Sequence, residues 1–163
     1  MIINTSEKII DIDKLPEVVS HLKKQGKKIV TTNGAFDILH VDHKVVLERS
    51  RALGDILIVG VNSDRSVKQY KSEDRPIIPD DERAQLIAAL ACVDYVTIFH
   101  EPDPIKFLQI VKPSIHTKGG DYDPDKLIET KTVRENGGEV VAIPHPVIRT
   151  TSSIIEKILK IRG

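Results

Sequence analysis

The chain has 163 residues, which suits one domain with a substantial core, and its 24 lysines and arginines are balanced by 24 aspartates and glutamates. This balance gives no electrostatic basis for broad nucleic-acid binding, which usually requires a basic surplus. The single cysteine, Cys92, excludes an intrachain disulfide, and no run of about 18 apolar residues predicts a membrane span, so we expect a cytoplasmic protein.

The first part of the chain shows helix and strand patterns in alternation. Apolar residues at helical spacing predict a helix over residues 15–25, and a strand is predicted at 27–33. The segment after His40 has a composition compatible with a helix. Gly54 marks its expected end, because glycine is a common helix stop. Residues 55–61, "DILIVGV", are almost all apolar and branched, which is typical of a strand covered on both faces.

The alternation continues beyond a polar loop at residues 70–80, whose prolines and charges predict a mobile substrate loop. "DDERAQLIAALA", at 80–91, begins with acids that favour a helix N-terminus and continues with one apolar face. The later predicted elements follow in order: a strand at 94–99, a helix at 103–111, a strand at 114–118, a helix before Asn136, a strand at 139–144 and a helix at 152–161.

Alternating strands and helices predict right-handed crossovers and a parallel sheet. The expected fold class is therefore α/β, with a Rossmann-like, doubly wound sheet of five parallel strands in a single domain. We expect residues 1–26 to form an N-terminal helical segment packed on a domain that spans residues 27–163.

Three unusual clusters follow predicted strands. "NGAFDILHVDH" (33–43) follows the first strand, "KGGDY" (118–122) the fourth, and "RTTSS" (149–153) the fifth. Because ligands of open parallel sheets bind outside the carboxyl ends of the strands, the clusters are expected to meet at one edge.

The chemistry of these clusters predicts a polyphosphate site. His40 and His43 stand near a helix start, where an anion is already favoured, and the hydroxyls and amides of 150–152 offer a second helix start. Lys118 adds a positive charge. Gly34 is expected to let a ligand approach the main chain, and the glycines at 119–120 to leave room for a base or a ribose.

Each cluster also has a simpler explanation. Two histidines three residues apart are commonly unrelated surface residues or part of a metal site, although no cysteine or third histidine lies nearby in sequence. "TTSS" alone is usually a helix cap, and "GG" alone is usually a turn. No single simpler explanation covers all three clusters, so a shared phosphate site is the favoured interpretation.

Several stretches resemble the HxGH nucleotidylyltransferase superfamily, which is cytidylyltransferase-like. They are "TNGAFDILHVDH", "LGDILIVGVNSDRSVK", "RPIIPDDERAQLIAAL", "VDYV", "KGGDY", "VRENGGEV" and "TTSSII", and they run in the family's order from about Lys27 to Ile158. The chain is most similar to the heptose 1-phosphate adenylyltransferases, including the adenylyltransferase half of the bifunctional heptose kinase/adenylyltransferase. "KGGDY" points to this branch, whereas the histidine motif is shared more widely.

The resemblance implies a transfer of AMP from ATP to a heptose 1-phosphate, with Mg²⁺ accompanying ATP, in a homodimer that binds neither nucleic acid nor membrane. It implies no protein-held metal. The implied catalytic residues are His40, His43 and Lys118. The implied nucleotide-binding residues are these three with Gly34, Ala35, Phe36, Gly119, Gly120, Thr150, Thr151 and Ser152. The implied substrate-binding residues are Asp37, Asp64, Lys71, Arg75, Arg83 and Asp121, with Arg83 assigned to phosphate and Asp37 to substrate or magnesium.

Asp42 stands where the family motif has glycine, which gives HVDH in place of HxGH. Such an acid can cap the helix, oppose the charge of a triphosphate, or take part in binding magnesium. Capping is the favoured interpretation. Two other functions remain open from the sequence: a cytidylyltransferase for a polyol or amino-alcohol phosphate, and a nucleotide-binding regulator whose catalysis was lost through Asp42.

Overall fold

A parallel β-sheet forms the centre of the protein, as seen in a computed structural model that describes residues 4–144 and 149–162, without the side chain of the last of these. Across these residues the sheet has five strands in the order β3-β2-β1-β4-β5, and all neighbours pair in parallel. The strands are β1 (Ile29–Gly34), β2 (Ile56–Asn62), β3 (Tyr95–Phe99), β4 (Ile115–Gly119) and β5 (Glu139–Ile143).

Seven α-helices accompany the strands in the described part of the chain: α1 (Leu15–Lys24), α2 (Val41–Arg51), α3 (Asp64–Tyr70), α4 (Asp80–Ala88), α5 (Ile105–Val111), α6 (Thr130–Glu135) and α7 (Thr151–Arg162). Short 3-10 turns occupy Thr5–Lys8 and Pro124–Lys126. The predicted fold class is confirmed, and the predicted strands and helices all occur, with small shifts at their ends.

Helix α3 was not predicted from the sequence. It has seven residues, of which only Ser66 and Val67 are buried, so it carries no long apolar stripe. Its start is fixed by Ser63, whose hydroxyl accepts a hydrogen bond from the Ser66 amide at 3.2 Å. A serine cap followed by an aspartate was the available signal, because both residue types favour a helix start.

Each face of the sheet is covered by its own helices and its own apolar core. On one face, Leu47 of α2 and Ile87 of α4 pack with alternate residues of β2 such as Val59. On the other face, Leu15 of α1 and Phe107 of α5 belong to a second core cluster. Helix α1 therefore contributes directly to the core of the sheet.

Gly60 shows how closely the second face is packed. A Cβ atom at this position would lie 3.1 Å from the Phe107 ring and 3.2 Å from the Phe99 ring. These two rings stack with centroids 5.9 Å apart. The glycine in the middle of β2 thus makes room for two aromatic side chains in a close-packed interior.

The strand order places a topological switch between β1 and β4. After β3 the chain crosses back over β2 and β1, so β4 pairs with the other side of β1. Ligands of such sheets bind at this point, outside the carboxyl ends of the strands. Among the helices of the described residues, none combines the length and the apolar character needed to cross a bilayer.

Candidate active site

A cavity of about 640 Å³ opens at the carboxyl edge of the sheet. Its walls include the ends of β1, β2 and β4 and the starts of α2 and α7. This volume is typical of sites for small molecules and cofactors, and the position is the one that the sheet topology favours.

Most of the predicted site residues meet in this cavity. Those that line it are Gly34, Ala35, Phe36, Asp37, His40, His43, Lys71, Lys118, Gly119, Thr150, Thr151 and Ser152. Five predicted residues lie outside its lining: Asp64, Arg75, Arg83, Gly120 and Asp121. The fold therefore brings together the three sequence clusters that follow β1, β4 and β5.

Two histidines stand at the first turn of α2. His40 is the N-cap residue, with extended backbone, and His43 is the third residue of the helix. Their rings stack with centroids 3.8 Å apart and planes inclined by 24°. His43 Nδ1 accepts a hydrogen bond from the His40 amide at 3.4 Å. Because Nδ1 accepts, a neutral His43 carries its proton on Nε2, which is then the donor nitrogen of the ring.

Phe36 supports this histidine pair. Its ring meets the His43 ring edge-on, with centroids 5.3 Å apart. Its backbone is left-handed, with φ of 50°, a conformation that bulky residues adopt rarely and mainly at functional sites. A Cβ atom at Gly34 would lie 3.2 Å from the Phe36 ring. Gly34 therefore makes room for Phe36, and it also lines the cavity.

The glycines after β4 also make room for protein side chains. A Cβ atom at Gly119 would lie 2.7 Å from Val46, so this glycine allows α2 to pack closely on β4. Gly120 has φ of 129°, and a Cβ atom there would lie 2.7 Å from the Tyr122 ring. Both glycines thus have a packing role, and Gly119 also lines the cavity.

Lys118 is held by a buried carboxylate that the sequence did not indicate. The lysine Nζ lies 3.1 Å from Oε1 of Glu129, and the Lys118 side chain is 26% exposed. Burial acts to raise the pKa of Glu129, but the neighbouring His116 and Lys118 outweigh it and hold that pKa at about 2. Burial lowers the pKa of His116. The available signal for Glu129 was an acid directly after the apolar pair "LI".

The start of α7 is capped by its own residues. The Thr150 hydroxyl accepts from the Ser153 amide at 3.0 Å, and the Thr150 amide donates to the Ser153 hydroxyl at 3.0 Å. This is a reciprocal capping arrangement. Thr150 is therefore engaged within the helix start, whereas Thr151 and Ser152 supply the next amides beside the cavity.

Asp42 connects the starts of α2 and α7. Its side chain is buried, and Oδ2 accepts a hydrogen bond from the Arg149 amide at 3.1 Å. The N-cap of α2 is His40, so the expectation that Asp42 caps this helix is wrong. The acid lies in the first turn instead, where its charge suits the helix dipole. Because Asp42 also lines the cavity, its charge stands beside any anion bound there.

Asp37 anchors the polar loop at 70–80. Its Oδ2 lies 2.6 Å from Arg75 Nε, and its Oδ1 accepts from the amides of Ile77 and Ile78 at 2.8 and 2.9 Å. The carboxylate is fully buried, with both oxygens engaged by the loop. This geometry does not fit the predicted contact of Asp37 with substrate or magnesium. It also shows that the second half of the loop predicted to be mobile is tied to the end of β1.

Lys71, at the start of this loop, lines the cavity. Its Nζ lies 6.0 Å from the centroid of the Tyr70 ring. Partial burial, followed by the nearby charge of Arg75, lowers the pKa of Lys71. Asp121, in contrast, is an exposed residue beside the cavity rather than part of its wall.

Arg83 lies in the interior, with no exposed side-chain surface. Its guanidinium donates to the carbonyl oxygens of Ala35, Asn62 and Ile78, the last two at 2.9 and 2.8 Å. It also pairs with Asp64 at 2.7 Å. The predicted roles of Arg83 as a phosphate ligand and of Asp64 as a substrate ligand do not fit this placement. The pair joins the ends of β1 and β2 to the loop and to α3.

Sequence reasoning missed a further group of lining residues: Asn62, Tyr70, Pro102, Asp103, Pro104, Tyr122, Ile128 and Glu129. They lie at the end of β2, at the end of α3, and in the segments that follow β3 and β4. Only Asn62 and Tyr122 fall in stretches that carry the family resemblance, and the approach of the others to the cavity depends on how the chain folds over the sheet edge.

Comparison with known proteins identifies the family of the chain. Residues 31–158 match the family described as Cytidylyltransferase-like. The chain belongs to the cytidylyltransferase-like family. The resemblance stated from the sequence is thereby confirmed, and the matched range includes the histidines, Lys118 and the start of α7.

Curated members of this group match over nearly the whole chain. The bifunctional protein HldE of Geobacter metallireducens is 42% identical over 160 residues, which are 98% of this chain and 33% of that protein. The bifunctional protein HldE of Citrifermentans bemidjiense is 45% identical over 156 residues, 96% of this chain and 32% of that protein. The chain thus spans about a third of the length of these relatives.

Two solved structures share the fold. The lipopolysaccharide core biosynthesis protein of Thermoplasma volcanium is 34% identical, covers 73% of this chain and 96% of its own, and has a TM-score of 0.61. The pantothenate synthetase of Thermus thermophilus has a TM-score of 0.60 at 15% identity, with coverage of 84% and 61%. The second similarity shows the fold alone.

We expect Arg83→Met to lower the free energy of unfolding by more than about 2 kcal/mol, because interior carbonyl groups lose their donor and Asp64 loses its partner. Urea unfolding measures this change. Arg65→Met, at an exposed position on α3, is the control and should alter stability by less than about 0.5 kcal/mol. An Arg83 variant of normal stability but weakened phosphate binding would restore the role predicted from the sequence.

We expect Asp42→Asn to tighten the binding of ATP by about fivefold at low salt, because a negative charge beside the anion is removed. The gain should shrink as salt screens the remaining charges. Titration calorimetry at two salt concentrations measures it. Asp81→Asn, in the first turn of α4 and outside the cavity, is the matched control. An unchanged affinity together with a lower melting temperature would leave Asp42 with a purely structural role.

Proposed function

We propose that the protein transfers AMP from ATP to a heptose 1-phosphate, giving ADP-heptose and pyrophosphate. The observation that carries this proposal is the meeting of two helix starts, a histidine pair and Lys118 in one cavity of a cytidylyltransferase-like fold. "KGGDY", the similarity to the HldE proteins and the similarity to a lipopolysaccharide core biosynthesis protein support the heptose substrate.

The reaction needs no covalent intermediate with the protein. A phosphate oxygen of the sugar phosphate attacks the α-phosphorus of ATP, and the bond from that phosphorus to the pyrophosphate oxygen breaks. The nucleotide then carries the sugar phosphate, and pyrophosphate leaves. Such a displacement depends mainly on positioning the reactants and on stabilising negative charge in the transition state.

The triphosphate is best accommodated between the starts of α2 and α7. Both helix N-termini favour anions, and α7 is the longest helix of the described residues. His43, whose neutral form donates through Nε2, stands at the first of these starts. Lys118 lies near the end of β4, the strand that pairs with β1. These groups stabilise the charge that develops as pyrophosphate departs.

The opposite wall of the cavity remains for the sugar phosphate. Tyr70, Lys71 and Asp103 line the cavity, and they supply an aromatic ring, a cation and a carboxylate. A lysine suits the phosphate, while tyrosine and aspartate suit sugar hydroxyls as partners. Arg75 and Asp37 contribute by fixing the loop that carries Lys71.

Magnesium is best placed on the nucleotide rather than in a protein cage. Among the described residues, no group of three or more His, Cys, Asp or Glu side chains is arranged to hold a metal ion. Mg²⁺ commonly binds substrate phosphates and water with few protein ligands, which fits this cavity. When bound, it lowers the charge repulsion between ATP and the attacking phosphate.

The proposal also includes a cytoplasmic location and assembly as a homodimer. Both substrates are water-soluble phosphorylated metabolites, which suits a cytoplasmic enzyme. Helix α7 carries exposed apolar side chains at Ile158, Leu159 and Ile161. Apolar surface of this kind favours association between copies of the chain.

A pyrophosphate-release screen tests the substrate assignment. We expect release with ATP and a heptose 1-phosphate, and little release when CTP replaces ATP or when a polyol phosphate replaces the sugar phosphate. Two controls use ATP alone and the sugar phosphate alone. Release only with CTP would indicate the cytidylyltransferase, and ATP binding without release on any acceptor would indicate a regulator.

We expect His43→Ala to lower kcat by about a hundredfold to a thousandfold while changing ATP affinity much less. An imidazole that donates to developing charge contributes about 2.7–4 kcal/mol to the transition state, by analogy with single oxyanion donors. Steady-state kinetics and calorimetry separate the two effects. His21→Ala, at an exposed position on α1, is the control. Equal turnover by the His43 variant and the wild type would remove this histidine from the chemistry.

A further inference from the structure

We propose that Glu129 is a positioning residue for the transfer reaction: its ion pair with Lys118 fixes the lysine ammonium at the cavity wall. This inference rests on the proposed function, because it assigns a task to Lys118. Glu129 itself acts through the lysine and not on the reacting atoms.

The first argument is the placement of Glu129. It is the N-cap residue of α6, a position at which short polar side chains commonly accept from the helix amides. Its side chain makes no such cap and instead lies beneath Lys118, with Oε1 at 3.1 Å from Nζ. The residue is 1% exposed yet belongs to the cavity wall. The carboxylate is thus directed to the lysine rather than to its own helix.

The second argument is the group behind Glu129. His116 is fully buried, with Nε2 at 3.8 Å from Glu129 Oε1 and Nδ1 at 2.9 Å from the Thr31 hydroxyl. If Thr31 donates to Nδ1, the ring proton lies on Nε2 and faces the carboxylate. The other tautomer would set a lone pair against a negative charge. His116, which contacts Thr31, therefore stands behind Glu129 as an electrostatic neighbour, at a distance longer than a hydrogen bond.

Among His116, Glu129 and Lys118, the single carboxylate is paired with a single cation, Lys118. Burial lowers the pKa of His116, so this histidine is neutral, while the pKa of Glu129 is held at about 2. The full negative charge of Glu129 is consequently available to Lys118. A second cation in place of neutral His116 would compete for it.

Stability alone gives a weak reason for this arrangement. Bringing a carboxylate into the interior is costly, and apolar residues of similar size often replace buried ion pairs without loss of stability. A lysine side chain has many rotamers, and an exposed one samples them freely. A fixed carboxylate restricts Lys118 to one position, which is what charge stabilisation in a transition state requires.

A double-mutant cycle separates this role from a structural one. The variants are Glu129→Gln, Lys118→Met and the double variant, compared by kcat, KM and melting temperature. Asp94→Asn is the matched control. Asp94, like Glu129, forms an ion pair, in this case with Arg51, and it also accepts from the Leu57 amide, but it does not line the cavity. It should lower the melting temperature and leave kcat and KM of the folded protein unchanged.

We expect Glu129→Gln to lower kcat by about tenfold to a hundredfold, the loss typical of a misplaced catalytic group, with a smaller effect on KM. In the Lys118→Met background the same change should have no effect on kcat, because the group that Glu129 positions is gone. Equal losses in both backgrounds, or an unchanged kcat for Glu129→Gln, would overturn the proposal.

The affinity for ATP gives a readout that needs no turnover. In the Lys118→Met background, Glu129→Gln removes only a repulsive charge, so ATP should bind equally well or more tightly. In the wild-type background the same change should weaken ATP binding, because the ammonium is no longer held in place. If the wild type releases no pyrophosphate, the proposed function fails while this reversal of sign still tests the positioning role. The same sign in both backgrounds contradicts it.

Discussion

The edge of the sheet that forms the cavity depends on the buried guanidinium of Arg83. It donates to carbonyl oxygens at the ends of β1 and β2 and in the loop before α4, and it pairs with Asp64 at the start of α3. Carbonyl groups at strand ends have no partner in the ladder, so a rigid fork of donors in the interior satisfies several of them at once. The strand ends, the loop and α3 are thereby fixed relative to one another before any ligand binds.

Three cations near the cavity each form an ion pair with a carboxylate. Arg83 pairs with Asp64, Arg75 with Asp37, and Lys118 with Glu129. From the sequence, each of these cations was expected to contact a ligand phosphate, but each carries a carboxylate partner. The helix starts and the histidines therefore supply further donors for an anion, beside these paired cations and Lys71. The equal numbers of acidic and basic residues in the chain are consistent with such a site.

The sheet and most of its helices could be predicted from the sequence because local patterns determine them. The apolar run of β2 and the glycine stops mark elements without knowledge of the fold, and the parallel sheet follows from the alternation. The short helix α3 escaped because it has too few buried residues to show a period. The positions of the histidines and of Lys118 at the cavity followed from strand ends.

The parts of the site that escaped prediction depend on contacts between distant residues. Nothing local distinguishes a buried Arg83 from an exposed one, since its partners come from three separate segments. Glu129 lies in a loop, and only the folded chain brings it to Lys118. The glycines show the same limit, because the packing of Gly34 against Phe36 and of Gly119 against Val46 appears only in the folded chain.

Asp42 combines the two kinds of constraint. The start of α7 comes late in the chain, and the Asp42 carboxylate binds the Arg149 amide just before it. A glycine at position 42 has no side chain to make this bond, so α7 would lose one link to α2. The same carboxylate is an anion next to two helix starts that favour anions. Asp42 therefore links the two helix starts through one hydrogen bond and sets a carboxylate at the cavity where we propose that a phosphate binds.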